Sequence, residues 1–170
     1  MAGYQYGGNN TQTFQKLHGF KKIVAWQAAS DLGFTVNQLV KQFGPGYYKL
    51  ADQMRSAAIA VPGNIAEGYC SGSLGNYVRY CNIARRSLGE LGSYIQDCER
   101  AELVTGNDLA KLIKQYSDTS FFLDRLIQAL IKKKQDGTWD NTYWVKEEQT
   151  PYLIDPEDGD NEFSPFPKVP

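Results

Sequence analysis

Between residues 74 and 103 the side chains Tyr77, Cys81, Ala84, Leu88, Leu91, Ile95 and Cys98 recur at alternating spacings of four and three. A stripe of that period lines one face of an α-helix and no face of a β-strand. A second seam runs through a segment at about residues 108–134, by way of Leu109, Ile113, Tyr116, Ser120, Leu123, Ile127 and Leu130. The break Thr105-Gly106-Asn107 parts the two, with Asn107 as the expected N-cap. Two seamed helices joined by so short a loop are expected to pack antiparallel, at the shallow angle of a bundle.

Two more helical segments precede them. Residues 20–43 carry Phe20, Ile23, Val24, Ala28, Leu32, Val36, Leu39, Val40 and Phe43 in a broad apolar stripe, and Gly44-Pro45-Gly46 ends it. Residues 48–69 form the second segment, followed by the turn Ser71-Gly72-Ser73. The expected fold is all-α: an antiparallel up-down-up-down four-helix bundle over residues 20–134, with a kinked second helix. Residues 1–19, rich in Gly, Asn, Gln and Thr, read as a flexible leader. Residues 135–170 read as an extended acidic tail with scattered aromatics, either docked on the bundle or a neighbour, or disordered.

The kink is expected from residues 53–68, QMRSAAIAVPGNIAEG, where Pro62 interrupts a run of small helix-forming residues. A proline in a helix interior removes a backbone hydrogen bond and costs about 3 kcal/mol. Gln53, Ala57, Ala60, Asn64 and Glu67 share one helical face there. The reading is structural: Asn64 and Glu67, with Gln53 and Arg55, satisfy the backbone that Pro62 opens and fix the register, with Gly68 closing the motif. Catalysis at Asn64 and Glu67 is the rival reading, but Glu67 has no second acid at helical spacing on its own face and no histidine or cysteine adjacent to it. Gly89 and Gly92 of the third segment invite close approach, either by the alanine-rich second helix or by another subunit.

Composition narrows the function further. No run reaches the ~18 apolar residues of a membrane span, and the start lacks the charged and apolar regions of a secretory signal. Cys81 and Cys98 lie about 25 Å apart on one helix at ~1.5 Å per residue, beyond disulfide reach. With Cys70 making an odd count of 3, a reducing, cytoplasmic setting is expected. His18 is the sole histidine, so no metal site and no cofactor are expected. No phosphate-binding loop, dinucleotide fingerprint or hydrolase elbow occurs, and the chain reads as a non-enzyme.

The net charge of −1 conceals a division. Residues 20–134 carry fifteen Lys and Arg against ten Asp and Glu, whereas residues 135–170 carry two against nine. In the basic body, Arg79, Arg85 and Arg86 sit on the third helix, and Lys132, Lys133 and Lys134 end the fourth. These six are the candidate contacts to nucleic acid or to a partner protein. For the three lysines, complementing the helix dipole is the plainer alternative. A modest positive charge becomes a stronger phosphate attractor when several copies share one surface.

These segments resemble the four-helix-bundle proteins encoded in 23S rRNA intervening sequences, the S23 family. Relatives of that family include the accessory variability determinant proteins of diversity-generating retroelements. The resemblance rests on Phe20-Lys21-Lys22-Ile23-Val24-Ala25-Trp26-Gln27-Ala28, Tyr48-Lys49-Leu50-Ala51-Asp52-Gln53-Met54-Arg55, Val61-Pro62-Gly63-Asn64-Ile65-Ala66-Glu67-Gly68 and Ile83-Ala84-Arg85-Arg86-Ser87-Leu88-Gly89-Glu90-Leu91. It implies a homopentamer of non-enzymatic bundles and, in the retroelement branch, binding to RNA or DNA and to a reverse transcriptase. The expected function is therefore a nucleic-acid-binding accessory scaffold. The alternative is a protein–protein adaptor or ribosome-related bundle that works through its acidic aromatic tail. The leader and tail depart from the family pattern, and the tail's acids compete with phosphate for the basic faces.

Overall fold

The computed structural model describes residues 19–138. The expected leader up to residue 18 and the expected tail from residue 139 lie outside the described residues. Four helices follow in order: α1 (Val24–Leu39), α2 (Tyr48–Cys70), α3 (Leu74–Arg100) and α4 (Gly106–Gln135). Short 3₁₀ turns stand at Phe20–Lys22, Val40–Gln42 and Pro45–Tyr47, and no strand occurs among the described residues. α1 and α3 each pack on both α2 and α4, so the four helices surround one core. Leu32 and Val36, Met54, Val61 and Ile65, Leu88 and Leu91, and Leu112 and Leu123 supply its fully buried side chains. Each such side chain contributes about 1.5–3 kcal/mol relative to exposure.

All seven seam residues of α3 are buried, from Tyr77 to Cys98. Ser73 caps the helix by accepting the Asn76 N–H at 3.4 Å. The far end closes earlier than the expected residue 103. Glu102 takes the left-handed conformation, with φ 54. The Leu103 N–H then donates to the Cys98 carbonyl at 2.9 Å and the Glu102 N–H to the Glu99 carbonyl at 3.1 Å. This paired closure satisfies carbonyls that the helix end would otherwise leave bare.

Three local expectations need correction. Asn107 lies inside α4, and Thr105 holds the cap position without a side-chain bond. The N-terminal half of the α4 seam is rotated: Leu112 and Thr119 are buried, whereas Ile113 is 41% exposed. A straight helix drifts ~20° per heptad, so a strict four-three pattern carried from Leu130 back to Leu109 leaves the core face. In the first segment, Ile23 is extended and α1 begins only at Val24, which is 45% exposed. Ala25 and Ala29 take the buried positions instead.

α2 is helical on both sides of Pro62. The proline deprives the Ala58 carbonyl of its usual donor, and that oxygen faces Gly33 of α1, 3.4 Å from where a Cβ there would stand. A side chain on Gly33 would crowd it. Asn64 does not serve that carbonyl, contrary to expectation; its Nδ2 donates to the Ala60 carbonyl at 2.7 Å. The reach of an asparagine back along its own helix is four residues, which stops two residues short of the oxygen that Pro62 leaves open.

Candidate nucleic-acid interface

The residues of the second-helix motif do not gather into one network. Gln53, Glu67 and Gly68 address α3, whereas Arg55 and Asn64 bond within α2. Gly68 admits α3 closely, since a Cβ there would stand 2.8 Å from Tyr77 Cδ2 and 2.9 Å from Tyr80 Cβ. Glu67 lies beside the Tyr80 hydroxyl, and its hydrogen bond and charge hold that phenol above its ordinary pKa. Tyr94 of α3 donates to Glu90 at 2.9 Å and lies 3.4 Å from Gln53 Oε1. Arg55 pairs within its own helix with Asp52 at 3.0 Å. The arrangement therefore stitches α2 to α3. Among the described residues, no group of three or more His, Cys, Asp or Glu side chains is placed to hold a metal ion.

Gly92 meets α4 rather than the expected α2: a Cβ there would fall 2.5 Å from the Tyr116 hydroxyl. Gly89 has nothing within 4 Å of a built Cβ and is exposed. The seam turns the small residues of α3 sideways, so Gly92 receives a tyrosine side chain and no second backbone.

The contacts between α3 and α4 also set the register of the basic residues. Gly92 meets Tyr116, and seven residues earlier Arg85 reaches Asp124 at 3.8 Å, so the two helices run in opposite senses. Arg85 is thereby partly neutralised across the interface. The same antiparallel register, taken one residue further on each helix, sets Arg86 of α3 and Arg125 of α4 on facing turns. About two turns away, Arg79 and Lys132 stand together in the same manner, ~10 Å further along the axis. All four are exposed, and none makes an ion pair with a described carboxylate. The helix axes of such a pair lie 8–10 Å apart by ordinary packing, so the four cations mark the corners of one patch.

The structure thus brings Arg79, Arg86 and Lys132 together, leaves Arg85 paired, and places Lys133 and Lys134 on the exposed last turn of α4. Arg125 was missed in the sequence reading because its relation to Arg86 depends on the α3–α4 register. One sequence signal points to it: Phe121 stands four residues before Arg125 on the outer face of the same helix, a spacing that makes neighbours. The Arg125 guanidinium carbon lies 5.6 Å from the centroid of that ring. Arg79 likewise stands 5.9 Å from the ring of Tyr80.

No described helix is long and apolar enough to cross a membrane. No curated protein matches the chain. Its fold is similar to the crystal structure of a protein of unknown function from the S23 ribosomal protein family of Bacteroides thetaiotaomicron. That likeness has a TM-score of 0.58 at 16% identity, covering 62% of this chain and 96% of the other. Neither that description nor the family's names a catalytic activity. The model of the 23S rRNA-intervening sequence proteins matches residues 21–125, and the chain belongs to that family.

Proposed function

We propose that this chain is a non-enzymatic, nucleic-acid-binding accessory scaffold that works as an oligomer beside a reverse transcriptase of a diversity-generating retroelement. The observation that carries the nucleic-acid reading is the patch of Arg79, Arg86, Arg125 and Lys132, exposed on adjoining helices without described carboxylate partners. Cations so spaced attract a phosphate backbone without reading its sequence. Assembly into a ring, five copies by the family resemblance, repeats the patch and multiplies the attraction. The accessory role follows from the same resemblance: the scaffold holds nucleic acid and enzyme together, and the polymerase does the chemistry.

The test is RNA binding by the purified full chain, measured by fluorescence anisotropy at low salt. Replacing Arg79, Arg86, Arg125 and Lys132 together by Gln is expected to abolish binding while leaving the thermal melt and oligomeric state unchanged. Unaltered affinity in that variant would refute the assigned surface. Co-purification with a reverse transcriptase encoded beside the gene tests the partner, and failure of the two proteins to associate would remove that half of the proposal.

A further inference from the structure

The cationic patch contains an aromatic ring that the core does not need. Phe121 is 57% exposed, whereas its neighbour Phe122 is half-buried and packs against the core. The two rings meet edge-on, with centroids 5.5 Å apart. Phe122 therefore supports Phe121 from the bundle side and limits the directions its ring can take. Arg125 stands 5.6 Å from the Phe121 centroid on the next turn. By the register of Arg85 and Asp124, Arg86 of α3 lies across from the same turn. A single exposed phenylalanine is ordinary on a protein surface. This one meets a second ring and lies beside Arg125, with Arg86 across from the same turn, and neither arginine pairs with a described carboxylate.

We infer that Phe121 is a base-stacking platform, and that the nucleic acid this surface takes is single-stranded. The inference rests on the nucleic-acid reading above and adds its substrate class. A paired base keeps its faces inside the duplex and presents only edges and phosphates. An unpaired base has an open π-face that stacks on an exposed ring, while nearby arginines hold the flanking phosphates. Arg125 has both tasks within reach, as a cation over the ring and as a phosphate contact. Charge complementarity selects nucleic acid as the occupant over an apolar protein surface, since docking an apolar face there would strand Arg86 and Arg125 without partners.

The experiment uses the full chain with two fluorescein-labelled RNA probes, a twelve-nucleotide oligouridylate and a twelve-base-pair duplex. Phe121→Ala is expected to weaken oligouridylate binding about tenfold, without changing duplex affinity or the salt slope. Phe121→Trp is expected to retain the single-strand affinity, which separates stacking from any effect on folding. Equal affinity of parent and Phe121→Ala for oligouridylate would overturn the inference, as would an equal loss on both probes. If Phe121→Ala changes the sedimentation of the protein and not its RNA binding, the ring is a contact between copies and the inference fails. A parent protein that binds the duplex while Phe121→Ala leaves both probes unaffected refutes the platform alone. A parent that binds neither probe refutes the nucleic-acid reading with it.

Discussion

At the scale of single residues, the three cysteines show how burial decides chemistry. Cys81 and Cys98 are both 0% exposed, and Cys70 is exposed at the end of α2. Burial pushes the Cys81 thiol up to about 12. Burial, with the charge of Asp97 added, pushes Cys98 up to about 11. The thiolate is the reactive form, so at pH 8 the two seam cysteines are protonated as well as shielded. Titration of the native protein with an aromatic disulfide reagent at pH 8 should find one fast thiol, with two more reacting only as the protein unfolds. Three fast thiols would contradict the packing described. Cysteine at two positions of a four-three seam was legible as core from spacing alone. The partner of Glu67 was not, because Tyr80 comes from another helix and only the α2–α3 register brings its hydroxyl alongside.

At the scale of elements, the glycines separate two uses of one residue type. Gly92 sits where a Cβ would fall 2.5 Å from the Tyr116 hydroxyl, and Gly89, one turn earlier, faces open space. Gly89→Ala should stabilise the protein by up to ~1 kcal/mol through helix propensity. Gly92→Ala should destabilise it by about 1–3 kcal/mol through overpacking, with Tyr116→Phe recovering part of the loss by removing the hydroxyl. Denaturant melts of the variants check the order, and equal effects of the two alanines would contradict the α3–α4 geometry. Gly68→Ala should cost more than Gly92→Ala, because the Tyr77 Cα also lies 3.3 Å from its Cβ position and a helix backbone yields less readily than a side chain.

The existence of the four helices was readable because hydrophobic period, turn residues and loop lengths agree with one another. The facing of individual side chains was less readable. Helical drift moved Ile113 out of the α4 seam, and nothing local to Gly92 says which neighbour will fill its space. The second-helix motif was expected to form one network around Pro62, and its members instead meet several neighbours. Asn64 binds Ala60, Gln53 lies near Tyr94, and Gly68 makes room for two tyrosines.

At the scale of the whole molecule, the account turns on a surface that no single helix contains. Arg79 and Arg86 come from α3, Arg125 and Lys132 from α4, and the packing of the two helices sets them side by side. Sequence alone supplied three of these four residues among six candidates. It offered no means of knowing that Arg85 would be drawn toward Asp124 or that Arg125 would complete the patch. The most direct test is the salt dependence of oligouridylate binding by the full chain. Four phosphate contacts on a single strand give a slope of log affinity against log salt of about −3. Replacing Arg79 and Arg86 by Gln should flatten that slope by about one and a half units, at roughly −0.7 per contact. Binding that ignores salt, or a slope unchanged by the two substitutions, would contradict the claim that this face holds nucleic acid.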